Sequence, residues 1–91
     1  MKIVNIKLYV PEASNFANKS LKFEVEDTAD FERKLVGFFV SNDLKQLLYP
    51  DTGKIKDIYS YVHDEKVYTN INDIQLKDYN EITMFAYILG G

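Results

Sequence analysis

The chain of 91 residues has no cysteine, a single arginine (Arg33), a single histidine (His63), two prolines and four glycines. Without cysteine there is no disulfide, no thiolate nucleophile and no thiolate metal site. That excludes the framework of small secreted mini-proteins and fits a reducing compartment. No apolar run approaches the ~20 residues a bilayer-spanning helix needs. Met1-Lys2-Ile3-Val4-Asn5 also lacks the apolar core and small-residue cleavage site of a secretory leader. A cytoplasmic location is therefore expected, with no membrane partner. Positive charge is short as well: 11 basic against 14 acidic residues leave a net charge of −3. A nucleic-acid binder carries a basic face, so none is expected here. A mildly acidic surface instead suits a protein partner with a basic docking face.

What the chain does have is apolar and aromatic mass. Seven Tyr and six Phe, within a hydrophobic content of 46%, can fill one core in a chain near the lower size limit for unaided folding. Val4, Ile6, Leu8 and Val10 alternate with Asn5, Lys7 and Tyr9, which predicts a half-buried strand stopped at Pro11. A polar loop is expected from Glu12 to Lys19. Leu21, Phe23 and Val25 then alternate with Lys22, Glu24 and Glu26, predicting a second strand with a solvated charged face. The two strands should form an antiparallel hairpin.

At Asp27-Thr28 the period changes. Either residue can cap a helix, and Asp30 and Glu32 stand in the first turn, where the macrodipole favours them. Phe31, Leu35, Phe38 and Phe39 make one apolar stripe. Gly37 costs the helix interior about 1 kcal/mol relative to Ala. After Ser41-Asn42-Asp43 a short second helical segment carries Leu44, Leu47 and Leu48, and Pro50-Asp51-Thr52-Gly53 predicts a turn. Strands resume at Ile58–Val62, with Ile58 and Val62 expected to point inward and Tyr59 and Tyr61 outward. His63-Asp64-Glu65-Lys66 predicts a turn and Val67-Tyr68-Thr69 a returning strand. Asn70 to Asn80 is polar, pinned by Ile74 and Leu76. The closing strand places Ile82, Met84 and Ala86 inward, and Thr83, Phe85 and Tyr87 outward. The first and last strands are the most apolar and are expected to be central. The expected class is α+β: a mixed sheet of four to five strands on one main helix plus a short second helical segment, packed as two layers. That is the arrangement of a β-grasp, or ubiquitin-like, domain, expected over residues 1–89.

The sequence closes on Leu89-Gly90-Gly91. Glycine loses the most conformational entropy on ordering and packs no side chain, so a diglycine has little structural use after a strand. It suits a carboxylate that must slide, extended, into a narrow channel of another protein. Residues 90–91 are accordingly expected to form a flexible tail.

Three stretches resemble the sulfur-carrier family that includes the molybdopterin synthase small subunit and the thiamine-biosynthesis carrier. Tyr61-Val62-His63-Asp64-Glu65-Lys66-Val67 is similar to the family's strand ending in Val-Asn-Gly or Val-Asn-Asp. Leu76-Lys77-Asp78-Tyr79-Asn80-Glu81-Ile82 resembles its Leu-x-Asp-Gly-Asp-Glu-Val approach to the last strand. Ile88-Leu89-Gly90-Gly91 resembles its apolar-small-Gly-Gly close. Leu48-Tyr49-Pro50-Asp51-Thr52-Gly53-Lys54-Ile55 is similar to longer members, among them the cysteine-biosynthesis carrier. His63 stands where the family has Asn, Tyr79 and Asn80 replace Gly-Asp, and no Pro pair precedes the diglycine. Asn80 is expected to supply the turn conformation that Gly or Asp would.

The resemblance implies a protein co-substrate and not an enzyme. An E1-like enzyme using ATP and magnesium would adenylate the carboxylate of Gly91. A sulfur donor would then displace AMP to leave a thiocarboxylate, with Gly90 giving clearance. Acceptors in the family are of the molybdopterin, thiazole or cysteine-precursor type, so the implied partners are the activating enzyme and an acceptor such as a molybdopterin synthase large subunit or a cysteine synthase. The chain itself is expected to hold no cofactor. Two alternatives remain open: a ubiquitin-like modifier joined through Gly91 to lysines, and a non-covalent β-grasp subunit. Partner contacts are expected on the sheet's outer face, at Phe85, Tyr87, Leu89, Tyr9, Tyr59 and Tyr61, because exposed aromatics anchor interfaces. His63 with Asp64 and Glu65 is not expected to bind metal, since consecutive positions diverge and no third ligand is evident.

Overall fold

A computed structural model describes residues 1–86. Strand β1 (Lys2–Tyr9) forms where the alternation is strictest, and Val4, Ile6 and Leu8 are fully buried. Burying each such side chain stabilises the fold by roughly 1.5–3 kcal/mol. The first part of the segment expected as a polar loop, Glu12 to Lys19, is instead 3-10 helical, Pro11–Phe16, kinked at Ala13, with Pro11 preset for its first position. It buries Ala13 and sets Phe16 edge-on to Phe38, ring centroids 5.3 Å apart. Strand β2 (Ser20–Val25) returns antiparallel to β1, Phe23 opposite Val4 and Leu21 opposite Ile6, as the alternation predicts.

Helix α1 (Thr28–Ser41) starts at Asp27, whose carboxylate accepts the Asp30 N–H at 2.8 Å. Asp30 is itself buried in the first turn. It accepts the Glu26 N–H at 3.0 Å and pairs with Arg33 and, at 3.4 Å, with Lys34. The Arg33 hydrogen bond first, then the Glu26 amide, hold its carboxyl down to about 2. Phe31, Leu35 and Phe39 are buried and Phe38 is half-buried, so the predicted stripe is the face laid on the sheet.

The short second helical segment is a 3-10 turn, Lys45–Leu47, around which Leu44, Leu47 and Leu48 are buried. The next turn closes with the Gly53 N–H on the Tyr49 carbonyl at 2.8 Å. Gly53 takes φ 73° there. That is a left-handed conformation in which glycine is favoured. Strands β3 (Tyr59–His63) and β4 (Lys66–Tyr68) form a hairpin. Its two turn residues are Asp64 (φ 51°) and Glu65 (φ 66°). Both lie in the left-handed region, as a type I′ turn requires. A last 3-10 turn, Ile71–Asp73, leads to β5 (Tyr79–Ala86).

The sheet order is β2-β1-β5-β3-β4, with β1 and β5 parallel and every other pair antiparallel. The two most apolar strands are thus neighbours in the middle of the sheet. One mixed sheet of five strands with a single main helix on one face is a β-grasp. Among the described residues no helix is long and apolar enough to cross a membrane.

Two positions depart from their expected turn roles. His63 is not in the turn but is the last residue of β3, buried on the helix-facing side. Asn80 is not a turn residue either; it lies within β5 with 1% of its surface exposed. Its Oδ1 accepts the Lys77 N–H at 2.8 Å and meets His63 Nε2 at 2.9 Å, while its Nδ2 donates to the carbonyls of Ile3 (3.0 Å) and Lys77 (2.8 Å). An amide oxygen can only accept, so the proton between the two side chains sits on His63 Nε2.

Candidate functional site

Because β1 and β5 run parallel, Tyr9 and Phe85 lie side by side at the same end of the sheet. β3 runs the other way, so its first residue, Tyr59, lies opposite Ala86 at that end. The end of the described chain, Ala86, therefore lies beside Tyr59 and one residue past the Tyr9–Phe85 pair, and Ile58, just before β3, is exposed.

The outer face of the sheet, away from α1, follows from the register. One row reads Ser20, Lys7, Thr83, Val62 and Val67 across β2, β1, β5, β3 and β4; the next contains Tyr9, Phe85 and Ser60. Of the expected partner residues, Tyr9 is 49% exposed and Phe85 half-buried on this face, side by side. Tyr87, Leu89, Gly90 and Gly91 lie outside the described residues.

Tyr59 and Tyr61 are corrections. They are 1% and 2% exposed and face the helix, so they are not on the outer face. The pairing of Tyr61 with Met84 and of His63 with Ile82 places them on the same side as the core residues of β5. A one-residue slip of phase exchanges the two faces of a strand. With Tyr59 and Tyr61 inside, Val62 is half-buried on the outer face, and Ile58, expected inside, is exposed. Burial is the first cause that raises both phenols above their ordinary range; the carboxylates of Glu12 near Tyr59 and Glu32 near Tyr61 come next. No group among the described residues, Glu12 included, meets the buried Tyr59 hydroxyl in hydrogen-bond geometry.

Sequence reasoning missed two outer-face residues. Val67 is 62% exposed opposite Val62, and Tyr79 is similarly exposed at the start of β5. The Tyr79 hydroxyl accepts a hydrogen bond from Asn5 Nδ2 at 2.8 Å. The signal for Tyr79 was available: it keeps alternation with Glu81, Thr83 and Phe85. The face thus combines Tyr9, Phe85, Val62, Val67 and Tyr79 with the charged Lys7, Lys22, Glu24 and Glu81. Among the described residues no group of three or more His, Asp or Glu is arranged to hold a metal ion.

No protein-family model matches the chain, and no curated protein matches it. A solved structure does: the crystal structure of SAMP1 from Haloferax volcanii superposes with a TM-score of 0.70 over 98% of this chain and 99% of that one, at 17% sequence identity. At that identity the likeness establishes the fold, a ubiquitin-like β-grasp.

Proposed function

We propose that this protein is a ubiquitin-like carrier whose C-terminal carboxylate, on Gly91, is the reacting group. The observation that carries this reading is the Leu89-Gly90-Gly91 sequence following the central strand of a β-grasp. A carboxylate is a poor electrophile until it is activated. An E1-like enzyme using ATP and magnesium forms the acyl-adenylate at Gly91, with Gly90 offering no side chain to obstruct the channel. Displacement of AMP by a sulfur donor then leaves a thiocarboxylate whose sulfur passes to an acceptor enzyme of cofactor or amino-acid biosynthesis. The chain acts as co-substrate, and its partners read the outer sheet face beside Tyr9 and Phe85. Aromatic side chains on an exposed face, rimmed by charge, suit that role.

Intact-mass measurement after co-expression with the cognate activating enzyme tests the reading. The expected product is heavier by the difference between one sulfur and one oxygen. If the chain stays at its unmodified mass with an enzyme shown to be active, the proposal fails. Attachment of Gly91 to lysines of other proteins uses the same adenylate, and Gly-Gly remnants on lysine side chains in a digest would identify that fate instead.

A further inference from the structure

Away from the outer sheet face, on the helix side, a cleft of about 330 Å³ opens between α1, the 49–57 segment and the 69–72 segment. That volume is at the lower end of small-ligand sites, roughly 300–1,000 Å³. Tyr61, a buried side chain, lines it from the sheet. Two carboxylates face the same space, Glu32 from α1 and Asp57 from the segment before β3. Both are near enough to help hold the Tyr61 phenol above its ordinary range, burial being the larger cause.

Each carboxylate meets a neutral group. Asp57 Oδ2 accepts from the Tyr49 hydroxyl at 3.2 Å while its own N–H donates back to that hydroxyl at 3.2 Å. Glu32 accepts from Asn72 Nδ2 at 3.5 Å. Two basic residues, Lys54 and Lys56, line the cleft as well. None of these four charged groups is in an ion pair among the described residues. One small space is therefore lined by two acidic and two basic residues around Tyr61. A simple cation would meet the lysines and a simple anion the carboxylates, whereas a molecule bearing both charges satisfies each set.

We propose that this cleft binds a small amphoteric ligand, an α-amino acid with a cationic side chain, its guanidinium or ammonium seated against Tyr61 between Glu32 and Asp57 and its carboxylate meeting Lys54 and Lys56. Two acidic residues beside a phenol are a favourable setting for an organic cation. The same chemistry is offered by the C-terminal arginine or lysine of a peptide. The site is separate from the chemistry proposed at Gly91, and its test requires no activating enzyme.

The test is titration of the isotope-labelled full chain with L-arginine, followed by amide chemical shifts. Saturable shifts at residues 54–57 and 69–72 are expected, with a dissociation constant on the order of 1–10 mM, as suits so few ligand atoms. Agmatine, which lacks the carboxylate, should bind at least about fivefold more weakly, and Glu32→Gln should weaken L-arginine by a similar factor. Lys54→Ala, at an exposed position, supplies a second variant if Glu32→Gln perturbs folding. The peptide Gly-Gly-Arg separates the two sources: equal or tighter binding assigns the cleft to a peptide terminus, and exclusion assigns it to the free amino acid. Shifts that do not saturate by about 50 mM overturn the proposal. So does agmatine binding as well as L-arginine, or unchanged affinity in a folded Glu32→Gln or Lys54→Ala variant.

Discussion

Asn80 joins three strands through one amide group, reaching Ile3 of β1 and His63 of β3 from its own place in β5. Each of its four polar contacts is inside the protein, so truncation leaves buried groups without partners and not merely a small cavity. An unpaired buried polar group costs about 1–3 kcal/mol. Asn80→Ala is therefore expected to lower stability by about 3 kcal/mol or more, measured by urea unfolding. Tyr59 presents the opposite case: its buried hydroxyl is already unpartnered among the described residues. Tyr59→Phe should leave stability unchanged or raise it by up to about 1 kcal/mol in the same assay. A loss of about 2 kcal/mol or more would mean the hydroxyl has a partner in solution. The Asn80–His63 contact was not legible beforehand, because the two residues are 17 apart in sequence and each is of a type common in turns.

At the scale of elements, the hairpin turn and the first turn of α1 make distinct predictions. Glu65 sits at φ 66°. That conformation costs an L-residue and suits glycine. Glu65→Gly is expected to raise the thermal midpoint, with a gain of about 0.5–1 kcal/mol, because the type I′ turn favours Gly there. In α1 the carboxyl of Asp30 is held to about 2 in the folded chain, against 3.8 ordinarily. A depressed carboxyl contributes stability that is complete above its unfolded value and is lost as pH falls through the folded one. Stability should therefore drop between about pH 4 and pH 2, and Asp30→Asn should flatten that part of the pH profile measured by urea unfolding. Asp64, lowered by its Lys77 hydrogen bond, works in the same direction at the hairpin. A cap at Asp27-Thr28 and the helix stripe were legible in the sequence, because cap chemistry and a 3.6-residue period are local signals; the structure decided for Asp27. The 3-10 helix at Pro11–Phe16 was not: its polar composition conceals that Ala13 and Phe16 are held by neighbouring elements.

For the whole molecule, the central parallel pair β1–β5 anchors the chain up to Ala86 in the middle of the sheet. The proposed chemistry beyond it should then be separable from folding. One alanine appended after Gly91 is expected to leave the urea midpoint unchanged and to abolish ATP–pyrophosphate exchange by the activating enzyme. Retained exchange would remove Gly91 as the reacting position. The outer face and the cleft lie on different sides of the sheet, so the two proposals concern different surfaces.

The amino-acid sequence by itself determined the order and type of the main elements, the inward faces of β1, β2, α1 and β5, and the centrality of the two apolar strands. Each of those rests on a polar–apolar period that burial on one side imposes. Only the tertiary structure decided the face of β3. Every residue from Ile58 to Val62 can be accommodated on either side of a sheet, so its phase came from the pairing of Tyr61 with Met84 rather than from its own composition. The same pairing brought His63 to Asn80, and the packing of α1 against the 49–57 and 69–72 segments gathered the cleft around Tyr61. Contacts between residues distant in sequence carry no period, and so they become visible only when the chain has folded.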